Sequence, residues 1–146
     1  MKVSKRTEYG LRAIVTLAEL SAQGTRPVPL REIATLEDIP EAFLDQIFGT
    51  LRKYGIVNSI RGASGGYQLA MSPETIRMGQ VVKILEGSVA PIGCVGEDRD
   101  SILEFCFKAD KCQTRNVWLK LYQSIEKALD SLSLADVMEQ DLGVTN

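Results

Sequence analysis

The chain has 146 residues, of which 45% are hydrophobic and 25% are charged, and its formal net charge is −2. These values are ordinary for a soluble globular protein, and no apolar run approaches the roughly 20 residues that span a bilayer. The N-terminal segment is unlike a signal peptide, because Glu8 and Arg12 interrupt any apolar stretch. We therefore expect a cytoplasmic protein with one domain, an extension and no membrane partner.

The first three predicted elements are helices. Apolar residues repeat at helical spacing over residues 6–20 and again, more briefly, over residues 30–38. Residues 38–40, Asp-Ile-Pro, predict a tight turn before a third helix at 43–54. Two short helices joined by such a turn predict a helix-turn-helix, with the third helix in the DNA major groove. Its expected apolar face consists of Phe43, Leu44, Ile47 and Leu51.

A glycine-rich hairpin is predicted directly after the third helix. Residues 56–60 favour a strand, residues 62–66 a turn and residues 67–69 a returning strand. Residues 50–69 contain no acid and three cations, which are Arg52, Lys53 and Arg61. A polar helix followed by a basic hairpin is typical of a winged helix-turn-helix on a duplex. The predicted fold is mainly α with a small β-hairpin wing.

Three further helices are expected after the hairpin. Ser72, Pro73 and Glu74 predict a helix start, with the helix continuing to Gly87. A long apolar repeat over 114–132 fits either packing on its own domain or a dimer seam. Ser133 is the expected N-cap of a last short helix. We divide the chain into a DNA-binding domain at 1–87, a cysteine-containing sensor loop at 88–113, and a dimerisation helix with a tail at 114–146.

Two features together resemble a known family. One is the motif RG-x-x-GGY at residues 61–67, just after a helix that ends in LRKYGIV. The other is the trio Cys94, Cys106 and Cys112 ahead of the long C-terminal helix. Both are similar to the Rrf2 family of winged-helix transcriptional regulators, which includes the IscR, NsrR and CymR regulators. The resemblance implies a homodimer with paired C-terminal helices that binds a pseudo-palindromic operator in double-stranded DNA.

The resemblance also implies which residues contact DNA. Glutamine can bond adenine and a carboxylate can accept from cytosine, so Asp45 and Gln46 are expected to contact bases. Arg61 is expected in or beside the minor groove. Gly65 and Gly66 are expected to have positive φ and to approach phosphate closely. The full expected set is Asp45, Gln46, Thr50, Arg52, Lys53, Arg61, Gly65, Gly66 and Tyr67; a solvated polar surface is the simpler alternative for its polar members.

The cysteines are spaced C-x11-C-x5-C, a first gap longer than is usual in cluster-binding family members. Thiolates suit iron–sulfur clusters and zinc, and an odd number argues against a disulfide framework. The resemblance implies a [2Fe–2S] or [4Fe–4S] cluster held by Cys94, Cys106 and Cys112, with Glu8 of the partner subunit as fourth ligand. A cluster-free regulator that responds to thiol oxidation or to a partner protein remains the alternative.

An enzyme is not expected. The sequence contains no histidine, which excludes Ser/His/Asp and Cys/His catalytic sets and removes the commonest general base. A nucleotide-binding loop at 62–66 is also excluded, because a strand follows it and the Lys-Ser/Thr pair of a P-loop is absent. The remaining competitor is a winged helix that binds protein instead of DNA.

Overall fold

A computed structural model describes residues 2–139 and Leu142. Within that part, seven α-helices and one antiparallel two-stranded hairpin confirm the predicted mainly α winged-helix fold. None of the helices described is long and apolar enough to span a bilayer. In chain order the elements are α1 (Lys5–Ala22), α2 (Leu30–Glu37), α3 (Glu41–Lys53), β1 (Val57–Ile60), β2 (Gly66–Leu69), α4 (Met78–Glu86), α5 (Arg99–Phe105), α6 (Arg115–Ser131) and α7 (Leu134–Glu139).

Buried residues of α1, α2, α3, α4, β1 and α7 form one hydrophobic core. Apolar residues at helical spacing supply it, which is why each helix buries one stripe and leaves the opposite stripe polar. Phe48, absent from the expected apolar face of α3, is also completely buried. The largest fully buried side chains are Phe48, Ile14, Leu17, Ile33, Leu44, Ile47, Leu51, Ile56, Ile76, Leu134, Val28 and Val57.

The turn between α2 and α3 has the geometry that a helix-turn-helix needs. Asp38 ends α2 in the left-handed conformation, with φ of 53°, which aspartate tolerates better than most residues. The amide of Ile39 donates to the carbonyl of Ala34 over 3.0 Å, and the Ile39 side chain is buried. The predicted turn is therefore confirmed, and it fixes α3 across the core.

The hairpin pairs β1 with β2 in antiparallel register, Ile60 opposite Gly66 and Val57 opposite Leu69. A third piece of backbone extends this small sheet. Val28 donates to the Tyr67 carbonyl over 2.9 Å and accepts from the Tyr67 amide over 2.8 Å. The hairpin is thereby attached to the segment before α2 as well as to α3.

The predicted start of α4 at Ser72 is wrong, because the helix begins at Met78. Ser72 instead closes a turn in which its carbonyl accepts from the amide of Thr75. The next residues are held in an extended bridge: the carbonyl of Ile76 accepts from Leu134, and the amide of Met78 donates to Leu132. Because this segment pairs with the α6–α7 connection, residues 72–77 do not form the helical turn that Ser72 and Pro73 predicted.

The C-terminal part contacts the first core at two places. α6 packs along α4, where the Lys83 ammonium lies 2.8 Å from the Glu126 carboxylate and 3.0 Å from Glu97. α7 then returns to the core, so that Leu134 is fully buried. Ser133 caps α7 as predicted, exchanging hydrogen bonds with Asp136 in a capping box.

Candidate nucleic-acid interface and cysteine region

The outward face of α3 carries the two residues expected to contact bases. Asp45 and Gln46 are exposed, while Leu44 and Ile47 beside them are completely buried. Nothing among the residues described holds either polar side chain in a hydrogen bond or ion pair that would compete with a ligand. Their assignment to DNA bases stays a prediction, and their placement on the polar stripe of α3 is compatible with it.

Thr50 lies one turn beyond Gln46 on the same stripe, but its hydroxyl is already used inside the protein. It donates to the backbone carbonyl of Gln46 over 3.1 Å and accepts from Nη2 of Arg6 over 2.6 Å. A hydroxyl has a single hydrogen to donate. Thr50 therefore serves first to join α3 to the start of α1, a contact that no local sequence pattern indicated.

Two cations occupy the last turn of α3. Arg52 and Lys53 are exposed, at the helix end where positive charge also interacts favourably with the dipole. Nη1 of Arg52 donates to the Ser59 hydroxyl over 3.1 Å, which connects α3 to β1. Arg61 follows β1 at the exposed tip of the hairpin. The three predicted cations thus border α3 and the hairpin on the solvent side.

The two hairpin glycines are required for different reasons than expected. Gly65 does not have positive φ; a Cβ there would collide with the carbonyl oxygens of Ile60 and Gly62. Gly66 has φ of +155°, and a Cβ there would collide with the backbone of Val28. The expectation of positive φ is therefore wrong for Gly65 and confirmed for Gly66. Internal close packing accounts for both residues without a phosphate.

Tyr67 packs inward rather than projecting from the hairpin. Its half-buried ring meets Phe48 edge to face, with centroids 5.0 Å apart, and its backbone pairs with Val28. Such an aromatic pair stabilises a core beyond the area that it buries. The predicted DNA contact of Tyr67 stays a prediction, since the packing alone explains the residue type.

The cysteines lie in and around a second, smaller core. Cys94 is buried there together with Ile102 and Tyr122. The backbone carbonyl of Cys94 accepts from Nε of Arg115 over 2.7 Å, which ties this loop to the first turn of α6. Burial raises the pKa of Tyr122 to about 12, and its hydrogen bond to Glu126 acts in the same direction.

Cys112 has the more reactive environment. Its sulfur lies 3.1 Å from the Thr114 hydroxyl, immediately before α6, and the residue is half-buried. The hydrogen bond from Thr114 lowers the pKa of this thiol, with smaller contributions from the backbone amide and charge of Arg115. A thiol at a helix N-terminus beside a cation is enriched in the nucleophilic thiolate form.

The three cysteines are not gathered into one group in the part of the chain that the structure describes. Among residues 2–139 and Leu142, no three His, Cys, Asp or Glu side chains are grouped closely enough to hold a metal ion. Cys94, Cys106 and Cys112 are all free thiols. Glu8 lies on the first turn of α1, where its carboxylate is 2.8 Å from the Lys5 ammonium. The three cysteines are therefore not brought together within the described residues, and the cluster, with Glu8 of the partner subunit as its fourth ligand, stays a prediction.

An apolar strip on α6 continues into a groove. Val117 and Leu121 are exposed on α6, at 65% and 40% of their surface. The groove, about 500 Å³ in volume, lies between the start of α1, the end of α4 and the second half of α6. Its apolar lining includes Val3, Leu11, Val82, Val89, Ile125 and Leu129. A continuous apolar surface of this kind marks an interaction site more often than a solvated face.

Comparison with known proteins connects this geometry to regulators of transcription. Residues 3–140 match the model of the Rrf2 family, described as an iron-dependent transcriptional regulator. A putative HTH-type transcriptional regulator of Synechocystis, slr0846, is 37% identical over 94% of this chain and 87% of its own length. The structure of CymR, the global cysteine regulator of B. subtilis, is 31% identical, with TM-score 0.75 over 96% of this chain and 98% of CymR. T. potens IscR is 36% identical, with TM-score 0.73 over 96% of this chain and 88% of IscR.

Proposed function

The chain belongs to the Rrf2 family of transcriptional regulators, and from this premise we propose that it binds operator DNA as a homodimer, through α3 and the hairpin. It is a DNA-binding regulator rather than an enzyme, as its relatives are named. A cytoplasmic location is part of the proposal, because the DNA of the bacteria that contain its relatives lies there. The observation that carries it is the pair of exposed, uncommitted side chains on α3, Asp45 and Gln46, with Arg61 exposed at the hairpin tip.

These side chains have the chemistry that base recognition requires. The amide of Gln46 can bond adenine at two atoms, and the carboxylate of Asp45 can accept from cytosine. Arg52 and Lys53 supply the phosphate contacts that set orientation without reading sequence. Arg61, at the hairpin tip, is available to a narrow minor groove.

The DNA contact is tested with a labelled duplex from the promoter of the protein's own gene. Gln46→Ala and Arg61→Ala should each weaken binding by about 1–3 kcal/mol, which is about 5- to 150-fold in the dissociation constant. Gln80→Ala is the matched control, because Gln80 is exposed on α4 outside the proposed interface. Wild-type affinity in both α3 and hairpin variants would contradict the proposed contacts and favour a protein-binding winged helix.

A second copy of the chain is the proposed occupant of the apolar strip and groove. Leu121, Ile125 and Leu129 repeat along α6 at the spacing of a helix–helix seam, and the groove continues that surface. A dimer also places two copies of α3 on matched half-sites about 34–36 Å apart. The strip thus supports the homodimer that the resemblance implied.

The dimer is tested by sedimentation of two charge variants of the same helix. Leu121→Glu places a carboxylate in the proposed seam and should shift the protein to monomer. Gln123→Glu adds the same charge at an exposed neighbouring position and should leave the dimer intact. A monomeric wild-type protein at micromolar concentration would refute the homodimer.

We further propose that the cysteine region responds to thiol oxidation. Cys112 combines a lowered thiol pKa with partial exposure, while the cysteines and acids described form no metal-holding group. Arg115, the first residue of α6, donates from its backbone amide to the Cys112 thiol and from its side chain to the Cys94 carbonyl, so a change at Cys112 can reach the proposed dimer seam. The iron–sulfur cluster implied by the resemblance stays a prediction.

Anaerobic purification followed by iron analysis separates these two sensors. The thiol proposal expects little iron and a colourless protein after reconstitution, with DNA binding that changes on mild peroxide treatment and returns with reductant. Stoichiometric iron, a visible iron–sulfur spectrum and loss of both in Cys106→Ser would contradict it and support the cluster.

A further inference from the structure

The six arginines in the first 70 residues fall into two groups. Three of them form ion pairs with glutamates. The side-chain nitrogens of the other three have no carboxylate oxygen within 4.0 Å among residues 2–139 and Leu142. The paired ones are Arg12 with Glu37, Arg26 with Glu32 and Arg31 with Glu41. The others are Arg52 and Arg61, both already expected at DNA, and Arg6, which the sequence did not indicate.

Arg6 is held against the recognition helix. It lies in the first turn of α1, and its Nη2 donates to the Thr50 hydroxyl over 2.6 Å, across 44 residues of sequence. Thr50 in turn is fixed by its bond to the Gln46 carbonyl. The guanidinium is thereby placed on the stripe of α3 that carries Gln46, Thr50 and Lys53, which are spaced by four and three residues.

This placement is not explained by stability. Nε of Arg6 is buried and has no hydrogen-bond partner within the described chain. A buried, unsatisfied donor costs free energy, and no carboxylate of the described residues lies close enough to compensate the charge. A guanidinium has five N–H groups, so after the bond to Thr50 it still has donors, and the half-buried side chain keeps part of its surface in solvent.

We propose that Arg6 is a DNA-backbone contact that Thr50 holds beside the recognition helix. Phosphate is the fitting ligand, since guanidinium binds phosphate oxygens with charge-assisted, often paired hydrogen bonds. The DNA contact expected for Thr50 then belongs to Arg6, because the Thr50 hydroxyl has no hydrogen left to donate. This inference rests on the proposed DNA interface.

Salt dependence distinguishes a phosphate contact from a structural role. Each neutralised phosphate contributes about 0.9 to the slope of log affinity against log salt concentration. Arg6→Gln keeps an amide that can donate to Thr50 but removes the charge. It should reduce the slope by about 0.9 per protomer, or about 1.8 per dimer. At 0.1 M salt that is about an eightfold loss of affinity per protomer, equal on promoter and unrelated duplexes.

The controls use the full-length protein and the same anisotropy assay. Arg12→Gln changes net charge equally, on the same helix, and should keep the wild-type slope because Arg12 pairs with Glu37. Arg6→Lys should keep most of the slope. Thr50→Val should weaken DNA binding but leave the salt-dependence slope unchanged, because it releases the Arg6 guanidinium from α3 without removing its charge. This variant also tests the proposal if Arg6→Gln does not fold.

The outcomes separate this inference from the function on which it rests. If wild-type protein and Arg12→Gln bind with a steep slope and Arg6→Gln matches them, the Arg6 contact is wrong and the DNA-binding proposal stands. The Arg6 contact is equally wrong if Arg6→Lys loses the slope as fully as Arg6→Gln, or if Thr50→Val has wild-type affinity. If wild-type protein binds neither duplex, the proposed function itself fails.

Discussion

Replacing Gly66 by alanine tests whether the hairpin glycine serves the protein's own packing or an approach to DNA. Alanine would have to adopt φ of +155°, a region that an L side chain rarely occupies and that costs about 1–3 kcal/mol. Its Cβ would also displace the backbone of Val28, weakening two hydrogen bonds that contribute about 0.5–1.5 kcal/mol each. The free energy of unfolding should therefore fall by about 2–6 kcal/mol, which lowers the melting temperature by about 6–20 °C.

Gly62→Ala is the matched control for this experiment. Gly62 also has positive φ, +117°, but a Cβ there would meet nothing within 4 Å. It should show the backbone strain alone, so the loss in Gly66→Ala should exceed it by at least about 1 kcal/mol. Thermal unfolding followed by circular dichroism measures both, without DNA. Equal losses, or an unchanged melting temperature in Gly66→Ala together with weaker DNA binding, would refute the packing explanation.

Three further changes test other parts of the structure. Hydrogen bonds from the start of α1 lower the pKa of Glu86, so they stabilise the fold above pH 4.5 and less as pH falls through the lowered pKa. Glu86→Gln should therefore lose about 1 kcal/mol in urea unfolding at pH 7, and the difference from wild type should vanish in acid. Thr114→Val should slow iodoacetamide labelling of Cys112 at pH 7, because the hydrogen bond that stabilises the thiolate is removed; an unchanged rate would contradict that cause. Leu134→Ala should cost about 2–5 kcal/mol because the side chain is fully buried, whereas the exposed Leu142→Ala should cost little; equal melting temperatures would show that α7 does not belong to the first core.

The parts of the fold that could be predicted depend on neighbours in sequence. The apolar spacing of α3 predicted its buried face, and the glycine-rich segment predicted the turn between β1 and β2, because helix periodicity and turn chemistry act within a few residues. The capping box at Ser133 is local in the same sense. These elements form as predicted because the tertiary contacts stabilise the same conformation that the local sequence favours.

The errors occur where distant backbone overrides a local signal. Ser72 and Pro73 have the residue types of a helix start, yet bonds from Ile76 and Met78 to the α6–α7 connection hold this segment extended. The aromatic residues around Cys106 are a second case. Phe107, an apolar residue next to Cys106, is 83% exposed instead of packing on an apolar surface, since the last turn of α5 presents Ile102 to the small core. Single-sequence patterns contain no information about either pairing.

The contacts that carry the functional argument are the most distant in sequence. Arg6 reaches Thr50 across 44 residues, and Ser4 donates to the Glu86 carboxylate across 82. Together they place the first turn of α1 between the end of α4, beside the apolar groove, and the recognition helix. If a second copy covers that groove, it contacts the first turn of α1, which is also the turn that holds Arg6 against α3. A shift in the proposed dimer seam would therefore move the proposed phosphate contact of Arg6, without any change inside the helix-turn-helix.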